Sequence, residues 1–440
     1  MNPNQQPATC NLQPNLQPAT CNLQHHVSRR SLLKGTLVTA SGMAVANWGA
    51  LFHSQTIAAE AKRTGKRCIM LYMEGGVSQI DTFDMKPGRP TAGEFRPVQT
   101  NVTGIQVCEF LPNMARHADK LAIIRSMRTK TPDHGPGGYY MHTGYHPSER
   151  FPHPEAGAMI AKYCENPESD LPSFVKIGSG SGIYGAGYLG PQYDPFVLGD
   201  DGKLPGFANP SVAPEIQSRR GELLSFVEQR FAEQRPGDPF ASHRTAELRT
   251  IRLMRARQTF DVSAEWEKAK DRYGDTQFGR GCFTALKLVE AGVSFVEVGH
   301  AGHDTHMNNF PVSKALYSTM DPAWGSLLDD LTQRGLLQDT LVVWTSEFGR
   351  TPAINVRAGR DHFGRAWTVV LAGGGIKGGQ HYGSTDRDGF EVAENPVSEA
   401  DYLATIYKVM GVDHRAKHYL GTRPIWATEE GSKPIQELIG

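Results

Sequence analysis

The chain contains 440 residues, and its 46 Lys and Arg side chains balance its 46 Asp and Glu side chains. Because the charge is balanced and the sequence contains no stripe of basic residues, we expect no nucleic-acid partner. The length is typical of a large α/β protein rather than of a small module with one core.

The N-terminal region has the features of an export signal. The sequence S-R-R-S-L-L-K at residues 28–34 is close to the twin-arginine consensus, and residues 35–59 contain no charged side chain. Residues 28–61 are therefore predicted to be a signal peptide for the twin-arginine translocase, which places the protein in the periplasm or cell envelope. Polar residues within the segment make it a poor anchor, so we expect no stable membrane span in the mature protein. The polar residues 1–27, which include a near-duplicated 11-mer, are predicted to be disordered.

Short apolar runs alternate with helical patterns along the rest of the chain. The runs predict strands at 67–73, 121–125, 293–298, 340–345 and 367–372, and a helical pattern covers 400–410. The glycine-dense stretch 171–207 is predicted to be an irregular excursion. This alternation predicts one α/β domain over residues 62–440, with a mostly parallel, doubly wound sheet, helices on both faces and a helical insertion around 213–290.

Cys68, Cys108, Cys164 and Cys282 remain after the predicted signal peptide. They are widely spaced and form no C-x-x-C pair, which argues against a structural zinc site. We expect them to be buried free thiols.

Five polar clusters lie close to the predicted strands. They are E-G-G-V-S-Q-I-D at 74–81, T-P-D-H-G-P-G-G at 131–138, G-H-A-G-H-D-T-H at 299–306, S-E-F-G-R-T-P at 346–352 and G-R-D-H at 359–362. In a parallel sheet, ligand sites form at the carboxyl ends of the strands. Imidazole and carboxylate groups bind zinc and related ions, and an arginine beside them can hold an anion. Each cluster also has a structural interpretation, as a tight turn, a helix-capping Asp or, for Arg350, a salt bridge.

The motifs together resemble an exported bacterial family, domain of unknown function 1501, over about residues 66–436. The strings that carry the resemblance are E-G-G-V-S-Q-I-D-T-F-D-M-K-P, D-H-G-P-G-G, G-H-D-T-H-M-N-N, S-E-F-G-R-T-P, G-R-D-H and A-G-G-G-I-K-G-G. That family is similar to the sulfatase and alkaline phosphatase superfamily, so the resemblance implies an alkaline-phosphatase-like fold.

The sequence differs from the sulfatase pattern at the position of the nucleophile. Sulfatases carry P-x-C-x-P-S-R-x-x-x-x-T-G, and the matching string here is P-D-H-G-P-G-G-Y-Y-M-H-T-G, in which His134 replaces the nucleophilic cysteine and Gly138 the arginine. In T-S-E-F-G, Glu347 stands where the superfamily has an aspartate, and Phe348 removes a ligand. A formylglycine sulfatase mechanism is therefore excluded, and the resemblance leaves His134 as a nucleophile, a base or a metal ligand.

The resemblance assigns the metal ligands position by position. Asp304 and His306 match the Asp and His pair of the phosphatases, and His362 matches their last histidine. Glu347 and Asp81 are further metal-ligand candidates, and Arg350 is a candidate clamp for an anion. The ion would be divalent, either Zn, Ca or Mn.

Two functions fit these residues. The first is a metal-dependent hydrolase that acts on a sulfate or phosphate ester of a small molecule or glycan. The alternative is a non-catalytic binding or assembly module that inherited the fold. An oxidoreductase role has little support, because the chain has no C-x-x-C-H motif and no dinucleotide fingerprint.

Overall fold

The computed structural model describes residues 65–147, 151–166, 169–178, 182–200, 202–204, 214–232 and 257–440. The N-terminus predicted over 1–27 and the signal peptide predicted over 28–61 lie outside these ranges, as does part of the predicted helical insertion. None of the helices in the described ranges has the length and apolar character needed to span a bilayer.

No strand of the described chain is longer than seven residues, and the central strands of the main sheet are buried. In chain order they are β1 Arg67–Met73, β2 Pro97–Gln99, β3 Gln106–Cys108, β4 Leu121–Met127, β5 Phe174–Ile177, β6 Phe196–Leu198, β7 Phe295–His300, β8 Thr340–Thr345, β9 Gly349–Arg350, β10 His362–Phe363, β11 Trp367–Gly373, β12 Gln380–Tyr382, β13 Ser384–Thr385, β14 Val392–Glu394, β15 Lys417–Leu420 and β16 Arg423–Trp426.

Eight of these strands form one sheet in the order β12-β4-β11-β8-β1-β7-β5-β6. All its strands run in the same direction except β11, which is antiparallel to both β8 and β4. The predicted mostly parallel sheet is thus confirmed, and the five predicted strands correspond to β1, β4, β7, β8 and β11. The stretch 171–207, predicted to be irregular, also supplies β5 and β6, because their runs of four and three residues are too short to stand out among glycines.

Helices cover both faces of this sheet. The helices of the described ranges are α1 Pro112–His117, α2 His134–Thr143, α3 Ala156–Cys164, α4 Pro214–Ala232, α5 Arg257–Phe260, α6 Ser263–Tyr273, α7 Gln277–Glu290, α8 Asn309–Gln333 and α9 Glu399–Val409. Successive side chains of a strand point to opposite faces. Accordingly, Ile69 and Leu71 of β1 pack in a core with α7 and α8, whereas Cys68 and Met70 pack in a second core with α3 and α9. This arrangement confirms the doubly wound α/β class.

Among the described residues, Cys68, Cys108, Cys164 and Cys282 form no disulfide bond. Cys68, Cys108 and Cys282 are buried, and Cys164 is half-buried. Burial raises the pKa of the Cys108 thiol to about 12, so this group is not a reactive thiolate.

Candidate metal centre

Neighbouring strands bring three of the polar clusters together at one edge of the sheet. Because β8, β1 and β7 are adjacent and parallel, their carboxyl ends meet there. Glu347 follows β8 and Asp304 follows β7. His134 opens helix α2, and His362 opens β10, which pairs with β9 so that His362 lies opposite Arg350.

Three imidazole groups surround the Asp304 carboxylate. Asp304 Oδ1 lies 3.1 Å from His362 Nε2 and 3.2 Å from His306 Nε2, and Oδ2 lies 3.5 Å from His134 Nε2. The Nε2 atoms of His306 and His362 are 3.0 Å apart. Four ligand atoms arranged tetrahedrally at about 2.0–2.1 Å from a zinc ion lie about 3.3 Å from one another. The donor set and its spacing therefore fit a small divalent ion.

Carboxylates orient two of these histidines. His134 Nδ1 is 2.7 Å from Glu347 Oε1, and His306 Nδ1 is 2.7 Å from Asp361 Oδ1. An imidazole that donates its Nδ1–H to a carboxylate presents the Nε2 lone pair on its other side. In both residues that side faces Asp304, as is usual for metal-binding histidines.

Glu347 is itself held by the backbone and by a hydroxyl group. Its Oε1 accepts a hydrogen bond of 2.9 Å from the Gly75 backbone N–H, and its Oε2 lies 3.0 Å from Ser346 Oγ, whose one proton is shared with the Met73 carbonyl at 2.6 Å. The hydrogen bond to Glu347 raises the pKa of His134, although desolvation acts in the opposite direction. Glu347, predicted as a metal-ligand candidate, thus contacts His134 Nδ1, whereas Asp304 faces His134 Nε2 on the other side of the ring.

Arg350 is fully buried beneath the centre. It donates hydrogen bonds to the backbone carbonyls of Gly75, Gly76 and Arg360 and to the Asp304 carboxylate. Desolvation raises the pKa of Asp304, but Arg350, together with His362 and His306, outweighs this effect and the pKa falls to about 2. Most N–H groups of Arg350, the predicted anion clamp, therefore already donate to the protein itself. Its contact with Asp304 stabilises the ionised form of that carboxyl group.

Asp81, the remaining metal-ligand candidate, lies in a different cluster. It and Arg360 are both completely buried, and Arg360 Nε and Nη2 donate to the two Asp81 oxygens over 2.8 and 3.0 Å. Asn309 Nδ2 donates to the same carboxylate over 2.9 Å. The structure brings His134, Asp304, His306 and His362 together and leaves Asp81 in this buried salt bridge.

Two histidines of the G-H-A-G-H-D-T-H cluster also lie apart from the centre. His300 Nδ1 is 2.9 Å from His303 Nε2, and both rings are buried. Burial lowers the pKa of His300 to about 4. In contrast, sequence analysis did not single out Asp361, the partner of His306, although it precedes His362 directly in G-R-D-H.

A second group of titratable side chains is buried between α2 and the sheet. His142, Glu155 and Glu297 have ligand atoms within 4.8 Å of one another. The Lys176 ammonium lies among them, 2.7 Å from Glu155 Oε2 and 3.3 Å from Glu297 Oε1. This cluster already contains its own cation.

The fold and the site together define an α/β protein that gathers histidine and carboxylate side chains at the carboxyl edge of a mostly parallel sheet. The chain belongs to the family described as "Protein of unknown function (DUF1501)", which matches residues 65–439 and confirms the family resemblance of the motifs. No curated protein matches the sequence.

Several solved structures are similar to the chain at low identity. The PsFucS1 sulfatase from Pseudoalteromonas sp. aligns with 14% identity and a TM-score of 0.40, over 81% of this chain and 70% of that one. A 2-O GAG sulfatase aligns with 10% identity and a TM-score of 0.39, over 84% and 73%. A protein in the alkaline phosphatase superfamily from Vibrio parahaemolyticus aligns with 11% identity and a TM-score of 0.32, over 80% and 67%.

Proposed function

We propose that the protein is a metal-dependent hydrolase of a sulfate or phosphate ester, exported to the cell envelope by the twin-arginine translocase. The observation that carries the proposal is the triad of Asp304 Oδ1, His306 Nε2 and His362 Nε2, whose atoms lie 3.0–3.2 Å from one another, the spacing of a metal coordination shell, with His134 Nε2 3.5 Å from the same carboxylate. A small molecule or a glycan could carry the ester.

In this proposal Asp304, His306 and His362 hold the ion. Three protein ligands and one open position are typical of catalytic rather than structural metal sites. Two imidazoles and one carboxylate suit zinc or manganese better than calcium, which takes oxygen ligands. When bound, the ion would supply Lewis acidity and lower the pKa of a water molecule.

His134 is proposed to act on the substrate beside this ion. Its Nε2 is the most distant of the three from Asp304, and 41% of its side chain is exposed. Because Glu347 accepts the Nδ1–H, Nε2 is the basic atom, and it can take a proton from water or attack the ester itself. Arg350 keeps Asp304 ionised and in place, so its proposed role is to position this ligand.

Metal analysis and turnover test the proposal together. Protein exported through its own pathway should contain about one equivalent of a divalent ion by mass spectrometry, and it should cleave a member of a sulfate and phosphate ester panel. His362→Ala should lose the ion. His134→Ala should keep much of it but lose turnover. His381→Ala, an exposed histidine on β12, is the matched control and should behave as wild type.

The non-catalytic alternative rests on one observation, which is that position 134 has no hydroxyl or thiol nucleophile. It predicts that wild type and His134→Ala bind the ion and an anion equally and that neither turns over any ester. Metal-free wild-type protein without turnover would contradict the hydrolase proposal.

A further inference from the structure

Phe348 packs against two histidines of the candidate metal centre. It directly follows Glu347 after β8, and its side chain is completely buried. The centre of its ring is 5.1 Å from that of His134 and 4.6 Å from that of His362, and the two imidazole centres are 4.3 Å apart. The three rings therefore form one cluster, with the phenyl ring on its buried side.

The plane of the phenyl ring lies at an intermediate angle to the two imidazole planes. The planes of His134 and His362 differ by 78°, and the Phe348 plane differs by 41° from the first and by 40° from the second. Because protein interiors are closely packed, a rotation of either imidazole would bring it against the phenyl ring. Phe348 thus restricts the direction in which each Nε2 atom points.

His362 differs from the other two histidines of the centre in what holds its ring. His134 and His306 each have a carboxylate at Nδ1. Among the described residues, no hydrogen-bond partner lies at Nδ1 of His362, although its Nε2 faces Asp304. A metal-binding histidine usually has its second nitrogen fixed by a hydrogen bond. For His362, packing against Phe348 takes the place of that hydrogen bond.

Two motif glycines leave the space that the phenyl ring occupies. A Cβ built on Gly76 would lie 2.7 Å from Phe348 Cε2, which is closer than real Cβ atoms approach, and φ of Gly76 is +85°. A Cβ built on Gly137 in α2 would lie 3.3 Å from Phe348 Cδ1. The motifs E-G-G, D-H-G-P-G-G and S-E-F-G-R therefore meet at this ring, and the contact explains the glycines at these two positions.

The surroundings of Phe348 are not those of an ordinary core residue. Although it is completely buried, it belongs to neither of the hydrophobic cores that cover the two faces of the sheet. Besides the two imidazoles, its ring has the Arg350 guanidinium as a neighbour, 5.9 Å from the ring centre. The rings and the cation beside Phe348 all belong to the centre.

We infer that Phe348 is a positioning residue, which holds His362 in the orientation of a metal ligand and His134 beside the ion. Glu347 and Phe348 are adjacent in sequence, and they orient two neighbouring histidines, one through a hydrogen bond and the other through packing. The roles of the two histidines rest on the proposed function, whereas the packing can be tested on metal-free protein.

Proton magnetic resonance tests the orientation of His134 without metal or substrate. A proton held between His134 Nδ1 and Glu347 should exchange slowly and resonate far downfield, and its absence in His134→Ala assigns it. Phe348→Leu keeps a buried apolar side chain but removes the flat ring, so it should lose this resonance in metal-free protein. Phe283→Leu changes a buried ring of α7 outside the centre, and this matched control should keep the resonance.

Zinc affinity tests the orientation of His362. Phe348→Leu should weaken Zn²⁺ binding by about tenfold in competition with a chelating dye, as when the partner of a metal-binding histidine is changed. Gly137→Ala should also weaken it, because the Cβ displaces the phenyl ring, and since alanine favours a helix, a failure to fold would not explain the loss. Gly135→Ala makes the same change in α2 with open space around it, and this matched control should bind as wild type.

These measurements distinguish a failure of the inference from a failure of the proposed function. Phe348→Leu that keeps both the resonance and the zinc affinity, while losing stability to urea as Phe283→Leu does, would overturn the inference. Equal losses of affinity in Gly135→Ala and Gly137→Ala would assign the effect to helix α2 and would also overturn it. Loss of the resonance in Phe348→Leu, together with wild-type protein that binds no divalent ion, would support the positioning of His134 and contradict the metal-dependent hydrolase.

Discussion

Replacement of Lys176 by methionine should destabilise the protein strongly. The Lys176 side chain is buried, and its ammonium donates to the Gly182 carbonyl over 2.9 Å besides its contacts with Glu155 and Glu297. Desolvation lowers the pKa of Lys176, but the two carboxylates outweigh this effect and raise it, which shows how strongly they favour the charged ammonium. Methionine keeps the length of the side chain and removes the charge.

The expected loss is about 3–5 kcal/mol of unfolding free energy, the usual effect of removing one partner from a buried ion pair. The loss does not measure how much the pair contributes relative to apolar residues, because it arises mainly from the two carboxylates left without a cation. Domains are stable by about 5–15 kcal/mol, so such a loss would be a large fraction of the total.

Urea unfolding followed by circular dichroism measures this effect. EDTA should be present for every variant, so that no metal ion replaces the ammonium beside His142, Glu155 and Glu297. The matched control is Lys270→Met, because Lys270 makes an ion pair of the same 2.7 Å length with Glu267 at the surface. Solvent screens that pair, so the control should leave the midpoint unchanged. A loss below about 1 kcal/mol in Lys176→Met would refute the reasoning, since it would mean that the carboxyl groups relieve the charge by taking up protons.

Three further predictions concern the centre and the pH dependence of folding. Glu347→Gln should weaken metal binding by about 10–100-fold in a competition assay with a chelating dye, as is usual when the partner of a metal-binding histidine is changed. Gly75→Ala should abolish the proposed metal binding, because φ is +112° and a Cβ would overlap the Asp304 backbone nitrogen, whereas Gly88→Ala, at φ +74° with open space around it, should leave the proposed metal binding unchanged. Burial lowers the pKa of His153 to about 4 in the folded chain. Below pH about 6.5, His153 therefore binds a proton in the unfolded chain but not in the folded chain. Stability should therefore fall as the pH falls, by about 2 kcal/mol between pH 6.5 and 5, and His153→Phe should remove this part of the urea-midpoint shift.

The carboxyl edge of the sheet explains why much of the site was predictable. Apolar runs identify β1, β7 and β8, and polar residues that directly follow parallel strands must lie at one edge. Sequence analysis could thus predict that Asp304 and Glu347 lie near each other. His134 and His362 do not directly follow such a run, and their place in the centre was predicted from the family resemblance.

The role of each acid was harder to predict, because it depends on which cation reaches it. Asp81 and Glu347 both follow buried strands closely, and nothing in their neighbouring residues distinguishes them. Arg360 lies 279 positions after Asp81 and takes both of its oxygens, so the pairing appears only in the folded chain. The partner of Asp361 could not be predicted from its neighbouring residues either. It adjoins His362 in sequence, but its carboxylate turns to His306.

The two main departures from the sulfatase pattern meet in one hydrogen bond. Considered separately, His134 looks like a lost nucleophile and Glu347 like an altered metal ligand, and they lie 213 positions apart. In the folded chain an imidazole at position 134 needs an acceptor for its Nδ1–H if Nε2 is to face Asp304, and Glu347 supplies that acceptor over 2.7 Å. Gly75 and Ser346 in turn hold the Glu347 carboxylate. The orientation of His134 therefore depends on Glu347, and the orientation of Glu347 depends on Gly75 and Ser346.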